Sequence, residues 1–285
     1  MRNLPPSQPL DGDHDRRDCA RFFRLARHAD LECLRATYFT HRFPTHTHDT
    51  YVFGVVTAGC NTYSQRGALV RAVTGDLCMI NPREPHDGGA REAPFSYRMI
   101  YPDAEWMRAL AEDVAGRGVA EAPSFAPMLT RDADVIELFQ HAHAALEEGA
   151  QSGADEGLIG AAGLAIARHA GVRAQAPRMA QAGVARARAM LDDGLDEAPT
   201  LADLAAEAGL SRFHLLRAFR RQTGLTPHAY LIDARVRRAR ARLKSGEAPA
   251  HVAVSCGFAD QAHFTRCFKA RMGVTPGVYA RLAAS

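Results

Sequence analysis

Between Phe22 and Tyr101 the apolar residues come in short runs, FFRLAR, LECLRATYF, TYVFGVV, ALVRAV, LCMIN and FSYRMIY, broken by turn signals at Gly59, Gly67, Gly75-Asp76 and Asn81-Pro82. Short runs of this kind, bounded by Gly, Pro, Asn or Asp, predict strands, and several at close spacing predict an all-β barrel or sandwich. The period then changes. Over about 103–115, 132–148 and 156–170 it becomes helical, with Val135, Leu138, Phe139, Ala142 and Leu146 at three- and four-residue spacing. RAQAPRMAQ, 173–181, carries neither period and one proline, which predicts a linker. The expected division is a loose tail over 1–18, a β-rich domain with appended helices over 19–172, a linker over 173–182 and an all-α domain over 183–285.

Within that last part a helix is expected at about 183–192. Thr200 and Asp203 then form a capping box, in which hydroxyl and carboxylate satisfy the exposed N–H groups of a helix that buries Leu201, Leu204, Ala205 and Ala208 and stops at Gly209. Ser211 caps a second helix from Arg212. Helix, short Gly-containing turn, helix is the helix-turn-helix motif.

The motif occurs twice. GLSRFHLLRAFRRQTGLTPHAY returns 49 residues later within GFADQAHFTRCFKARMGVTPGVY, with seven identities between Phe213 and Tyr230: His214/His263, Arg217/Arg266, Phe219/Phe268, Gly224/Gly273, Thr226/Thr275, Pro227/Pro276 and Tyr230/Tyr279. Chance supplies about one match in a stretch of this length, so the two segments are expected to build the same supersecondary unit. In the second copy AHVAVSCGF supplies the short first helix, Gly257 the turn and Asp260 the N-cap. Between them HAYLIDARVRRARARLKSG reads as one helix from Pro227 to a C-cap at Gly246, which spans roughly 25 Å at 1.5 Å per residue. Such a rod can hold two motifs nearly one DNA turn, about 34 Å, apart.

At 100° per residue the second helix of copy one buries Leu215, Ala218 and Phe219 and turns Phe213, Leu216, Arg217, Arg220 and Arg221 outward, with Arg212 beside them. In copy two the matching face carries Gln261, Ala262, Thr265, Arg266 and Lys269 over buried Phe264, Cys267 and Phe268. Arginine can be bidentate to guanine and an apolar side chain can touch a thymine methyl, so these faces are the expected DNA-reading surfaces, the second less basic than the first. Charge supports that division. The net charge of +3 conceals 17 Lys+Arg against 9 Asp+Glu from Arg178 onward, and 18 against 23 before it. A basic half beside an acidic half points to a polyanion partner for the C-terminal part alone. The polar N-terminus and the lack of any apolar run of about 18 residues point to a cytoplasmic, non-membrane protein. Six cysteines without CxxC spacing read as reduced core thiols.

With these residues in view, the last hundred resemble the AraC/XylS-type transcription regulators, whose DNA-binding domain joins two helix-turn-helix units by a long helix and closes on Gly-x-(Thr/Ser)-Pro-x-x-(Tyr/Phe). Here that ending is GVTPGVY, after GLTPHAY in the first unit. The resemblance implies an N-terminal cupin-like barrel that binds a small effector, and double-stranded DNA and RNA polymerase as partners. It also implies a homodimer, with 132–148 and 156–170 as the seam. FPTHTHDTYVFG and GDLCMINPREPH look like the two halves of a cupin pattern, with His46, His48 and His86 as its histidines. Val52 and Phe53 stand where a metal-binding cupin would carry Glu, so the expectation is an effector pocket lined by His46, His48, Tyr51, Phe53, His86, Tyr97 and Met99, with no metal, cofactor or catalytic residue. Arg66, Arg83 or Arg98 is either a partner for an anionic effector or a surface residue. Two alternatives stay open: a metal-dependent cupin enzyme fused to a DNA-binding domain, and a helical half that binds protein rather than DNA.

Overall fold

The computed structural model describes residues 17–25, 31–149, 151–174 and 180–283. The chain divides into two compact units, Met1–Gln175 and Ala176–Ser285. Residues 175–179, within the expected linker, and 1–16 of the expected tail lie outside the described residues. Asp18 is held rather than loose: its carboxylate accepts from the backbone N–H of Phe39 at 2.6 Å and of Thr40 at 3.2 Å. The helix expected from 183 begins at Ala180, because the Ala-rich stretch ahead of Gly183 continues the turn.

The first unit contains, among the described residues, strands β1 (Cys19–Arg24), β2 (Glu32–Tyr38), β3 (Arg42–His46), β4 (Val52–Gln65), β5 (Ala68–Val73), β6 (Leu77–Ile80), β7 (His86–Gly89) and β8 (Phe95–Tyr101), then helix α1 (Ala104–Ala115), the short strand β9 (Leu129–Thr130), and helices α2 (Ala133–Glu147) and α3 (Gln151–His169). All pairings are antiparallel. β4 is the shared element: its first half lies between β6 and β8, and its second half pairs with β5 and, at Gln65, with β7. This places two sheets face to face around a core of Leu34, Val52, Val56, Tyr63, Ile80, Phe95, Tyr97 and Met99. β4 runs on through Gly59, where a turn was expected, with a register shift between Val56 and Ala58 that bends the strand from one sheet into the other.

Alternation along β8 assigns the two faces. Tyr97 and Met99 enter the barrel, and Arg98 emerges on the other side against α2. There Arg98 donates to Glu147 at 2.8 Å and to Nδ1 of His143 at 2.9 Å, while Glu147 also accepts from Arg35 at 3.0 Å. His143 is fully buried, and burial, followed by the Arg98 charge, pushes its pKa down to about 4. Phe53 leaves the barrel in the same way to meet Phe139 of α2, ring centroids 5.5 Å apart.

The second unit is helical: α4 (Ala180–Asp193), α5 (Leu201–Ala208), α6 (Arg212–Thr223), α7 (Pro227–Lys244), α8 (Pro249–Ser255), α9 (Gln261–Met272) and α10 (Pro276–Ala283). The capping box at Thr200 and Asp203 forms in both directions. α7 carries Pro at its first position behind the Thr226 N-cap and ends one residue earlier than expected, on Ser245, with Gly246 following at φ 86°. No helix among the described residues is long and apolar enough to cross a membrane.

Candidate nucleic-acid interface and effector cavity

Six of the seven identities between the repeats are accounted for by folding. The His214 ring stands edge-on to buried Phe213 at 5.4 Å and the His263 ring to buried Phe258 at 5.6 Å, while their backbone N–H groups donate to the N-cap side chains of Ser211 and Asp260. Phe219 and Phe268 are fully buried and stand edge-on to Tyr230 and Tyr279, at 5.6 and 5.4 Å. Gly224 and Gly273 end α6 and α9 at φ 78° and 76°, the left-handed conformation that a side chain disfavours. Thr226 and Thr275 cap the next helices, each accepting from the N–H three residues on, and Pro227 and Pro276 occupy their first positions. The seventh pair, Arg217 and Arg266, is exposed in both copies.

Other arginines of this unit are tied to carboxylates: Arg186 to Glu207, Arg188 to Asp192, Arg237 to Asp233, Arg238 to Asp196 and Arg242 to Glu247. Arg217, Arg220, Arg221, Arg266 and Lys269 are exposed and, among the described residues, enter no such pair. Two members of the expected reading face are misplaced. Phe213 is fully buried and Leu216 is 6% exposed, because α6 packs against α4 and α7 as well as α5, so its apolar face is wider than the helix period alone suggests. Phe213 lies beneath the arginine instead: the Arg217 guanidinium sits 5.5 Å from its ring centroid, a cation–π contact that orients it. In copy two Ala262 and Gln261 are exposed, Thr265 is half-buried with its hydroxyl turned back to the Gln261 carbonyl, and Cys267, expected in the core, is half-buried.

Arg235, in the middle of α7, is a residue that the sequence reading missed. It is 6% exposed, its Nε donates to the Leu195 carbonyl at 2.7 Å, and burial lowers its pKa. Gly257, the turn of the second motif, lies directly on it: a Cβ there would come within 2.5 Å of the Leu195 carbonyl and 2.8 Å of the Arg235 guanidinium. One buried cation therefore fastens the turn of copy two to the segment that follows α4. A lone Arg inside an arginine-rich helix gives no sequence signal of this role.

In the first unit a cavity of about 440 Å³ opens inside the sheets. Its walls include His46, His48, His86, Tyr97 and Met99, as expected, together with Tyr38, Tyr63 and Tyr101. Tyr51 and Phe53 are not among them. On β4 it is Val52 that faces inward, so both neighbours point out, Tyr51 donating to the Pro123 carbonyl at 2.5 Å. The three candidate anion-binding arginines are engaged elsewhere: Arg66 with Glu84, Arg83 with Asp49 and Arg98 with Glu147.

The three imidazoles converge, with candidate ligand atoms all within 4.8 Å of one another. Nδ1 of His46 donates to the Pro44 carbonyl at 2.7 Å and Nδ1 of His86 to the Glu84 carbonyl at 2.9 Å, which leaves Nε2 of each ring as an acceptor when the ring is neutral, and that of His46 accepts from Nε2–H of His48 at 3.2 Å. Burial first, and then the His86 and His46 rings, push the His48 pKa down to about 4; burial also lowers that of His86.

Comparison with known proteins matches both units. The AraC-like ligand binding domain covers residues 28–163 and a helix-turn-helix domain covers 204–282. The HTH-type transcriptional regulator YbfI of Bacillus subtilis (strain 168) is 28% identical over 247 residues, spanning 85% of this chain and 89% of its own. The HTH-type transcriptional activator RhaS of Escherichia fergusonii is 39% identical over 89 residues, 31% of this chain and 32% of its own. Among solved structures, the DNA-binding domain of AdpA in complex with a target DNA is 31% identical over 35% of this chain and 91% of that one, with a TM-score of 0.34. A ligand-binding unit followed by a repeated helix-turn-helix, matched in both halves, establishes that the chain belongs to the AraC-type helix-turn-helix transcriptional regulators.

Proposed function

We propose that this regulator reads double-stranded DNA with α6 and α9 in successive major grooves, through Arg217, Arg220 and Arg221 on one side and Gln261, Arg266 and Lys269 on the other, with Arg212, Ala262 and Thr265 flanking. Residues 19–172 form the effector-binding and dimerisation domain and 183–285 the DNA-binding domain. A small molecule in the barrel cavity shifts the population between arrangements of a homodimer that engage DNA differently, and RNA polymerase is the partner through which transcription responds. The cytoplasm is the compartment where such partners meet. The chain acts by binding rather than by catalysis, as its regulator relatives do.

The observation that carries this reading is the exposed pair Arg217 and Arg266: same position, same helix of each repeat, and neither within ion-pair distance of a carboxylate among the described residues, though the Arg266 charge acts on Asp260 at the α9 N-cap. Electrophoretic mobility shifts over a salt series on a genomic fragment recovered with the protein test it. Log affinity is expected to fall linearly with log salt, by about 0.9 per phosphate contact. Binding indifferent to salt would remove DNA as the partner and leave the protein-interaction reading.

A further inference from the structure

Among the described residues the barrel cavity is lined by no Lys or Arg; its charged lining residues are Glu32 and Asp87. Asp87 is committed within the fold, since one carboxylate oxygen accepts from the Ser64 N–H at 2.6 Å and the other from Arg91 at 2.5 Å. Among the described residues the lining therefore offers an anion hydrogen-bond donors but no Lys or Arg charge, and Glu32 opposes it. At one side stand His46, His48 and His86, with ring centroids 4.6 to 5.2 Å apart.

Two features of this cluster are those of a ligand set rather than of packing. The backbone acceptors on Nδ1 of His46 and of His86 fix both tautomers with Nε2 unprotonated, which is how outer-shell carbonyls orient metal-binding histidines. Nε2–H of His48 donates to Nε2 of His46 at 3.2 Å, a hydrogen bond whose proton a bound ion would displace at nearly the same nitrogen separation. Ions held at about 2.0–2.1 Å by adjacent imidazoles, at angles of roughly 90–110°, place those nitrogens about 2.9–3.4 Å apart. The widest separation of 4.8 Å needs closure of about 1.4–1.9 Å by side-chain rotation. Such a movement is open to His48, whose ring nitrogens, among the described residues, bond to His46 and to no backbone group.

We propose that His46, His48 and His86 bind one divalent first-row transition-metal ion of the zinc, cobalt or nickel class, and that its open positions receive an oxygen-donor anion as the effector. Imidazole nitrogens suit those ions. Three neutral ligands leave the charge of the ion uncompensated within the ligand set. The ion then supplies the positive charge that the lining lacks, and Tyr38, Tyr97 and Tyr101 bound the remaining volume. This deepens the effector reading above and rests on it only for the word effector; the metal site stands on its own geometry.

The test uses the full chain, stripped with a chelator and titrated with Co(II) alone. About one equivalent is expected to bind, with visible ligand-field absorption, and His46→Ala, His48→Ala and His86→Ala, each of which removes a direct ligand, to weaken binding by more than the roughly 10- to 100-fold that loss of an outer-shell partner costs, so that no stoichiometric binding is left. His141→Ala, on exposed helix surface, is expected to leave it unchanged. Should an alanine variant fail to melt cooperatively, Co(II) protection of the three rings of the unaltered chain against diethyl pyrocarbonate, mapped by mass spectrometry, replaces it. Acetate added to the loaded protein is expected to shift the absorption bands. No saturable binding, binding that survives His86→Ala, or rings modified equally with and without Co(II) would overturn the site, and a spectrum indifferent to acetate would overturn the open positions. Because the titration contains no effector, a chain that binds Co(II) while its DNA binding ignores every cavity ligand would refute the effector reading and keep the metal site.

Discussion

The two helix-turn-helix copies share a plan and differ in how deeply their reading helices are set. α6 buries Phe213, His214, Leu215, Leu216, Ala218 and Phe219, whereas α9 buries Phe264 and Phe268. At the positions of Phe213 and Leu216 the second copy has Ala262 and Thr265, so Arg266 has no aromatic ring beneath it. The first helix is wedged against α4, a neighbour of 14 residues, as well as α5 and α7; in copy two α9 packs on α7, α8 and the eight-residue α10. The same sequence grammar thus yields one reader braced on several sides and one held by two phenylalanines and by Arg235 through the turn at Gly257. Copy one is the anchor, and copy two is the reader whose placement can be altered.

The largest expected effect tests that inequality. Phe268→Ala should cost about 3–5 kcal/mol, as for any fully buried Phe, and since α9 has only one other buried residue, hydrogen exchange should show copy two opening while α6 stays protected. Phe219→Ala should cost as much by urea unfolding without releasing α6 alone, because five other buried side chains still hold it. Equal loss of protection in both helices for both variants would erase the distinction between the copies.

Next in size is the link between them. Arg235→Met removes hydrogen bonds from a charged donor, about 1.5–3 kcal/mol, and should widen the range of half-site spacings bound in a selection from random DNA. Unchanged spacing preference would show that α7 alone sets the geometry. Smaller again, Arg217→Ala and Arg266→Ala should each cost about 1–3 kcal/mol of discrimination at one base pair, measured by competition with substituted sites, with the larger loss at Arg217, whose guanidinium is held over Phe213. Smallest are the caps. Ser211→Ala should cost about 1 kcal/mol of stability and Asp260→Ala somewhat more, because the Asp260 bond to the His263 N–H is 2.6 Å against 3.4 Å for Ser211 to His214, and its charge favours a helix N-terminus.

What the sequence revealed was local. The capping box at Thr200 and Asp203, the stops at Gly209, Gly224 and Gly273, and the repeat itself depend on residues within a few positions of one another, and all appear in the fold. What it hid was decided by distant contacts. β3, β7 and β9 carry RFPTH, HDGG and LT, too short or too polar to read as strands, and are recruited by partners across the sheets. The inward parity of β4 at Val52 rather than at Tyr51 and Phe53 is fixed only by its pairing with β6 and β8. Arg98 reads as one more charge until Glu147, 49 residues on, is seen to hold it. Phe213 and Leu216 seemed spare because α4 could not be placed against α6 from the period alone.

The most direct test of the central claim is a hydroxyl-radical and methylation-protection footprint of the unaltered protein, Arg217→Ala and Arg266→Ala on one selected target. The account predicts two protected major-groove segments about one helical turn apart on a single face of the duplex, with Arg217→Ala exposing one and Arg266→Ala the other. Loss of the same segment in both variants, or of neither, would contradict a pair of readers set by one rod.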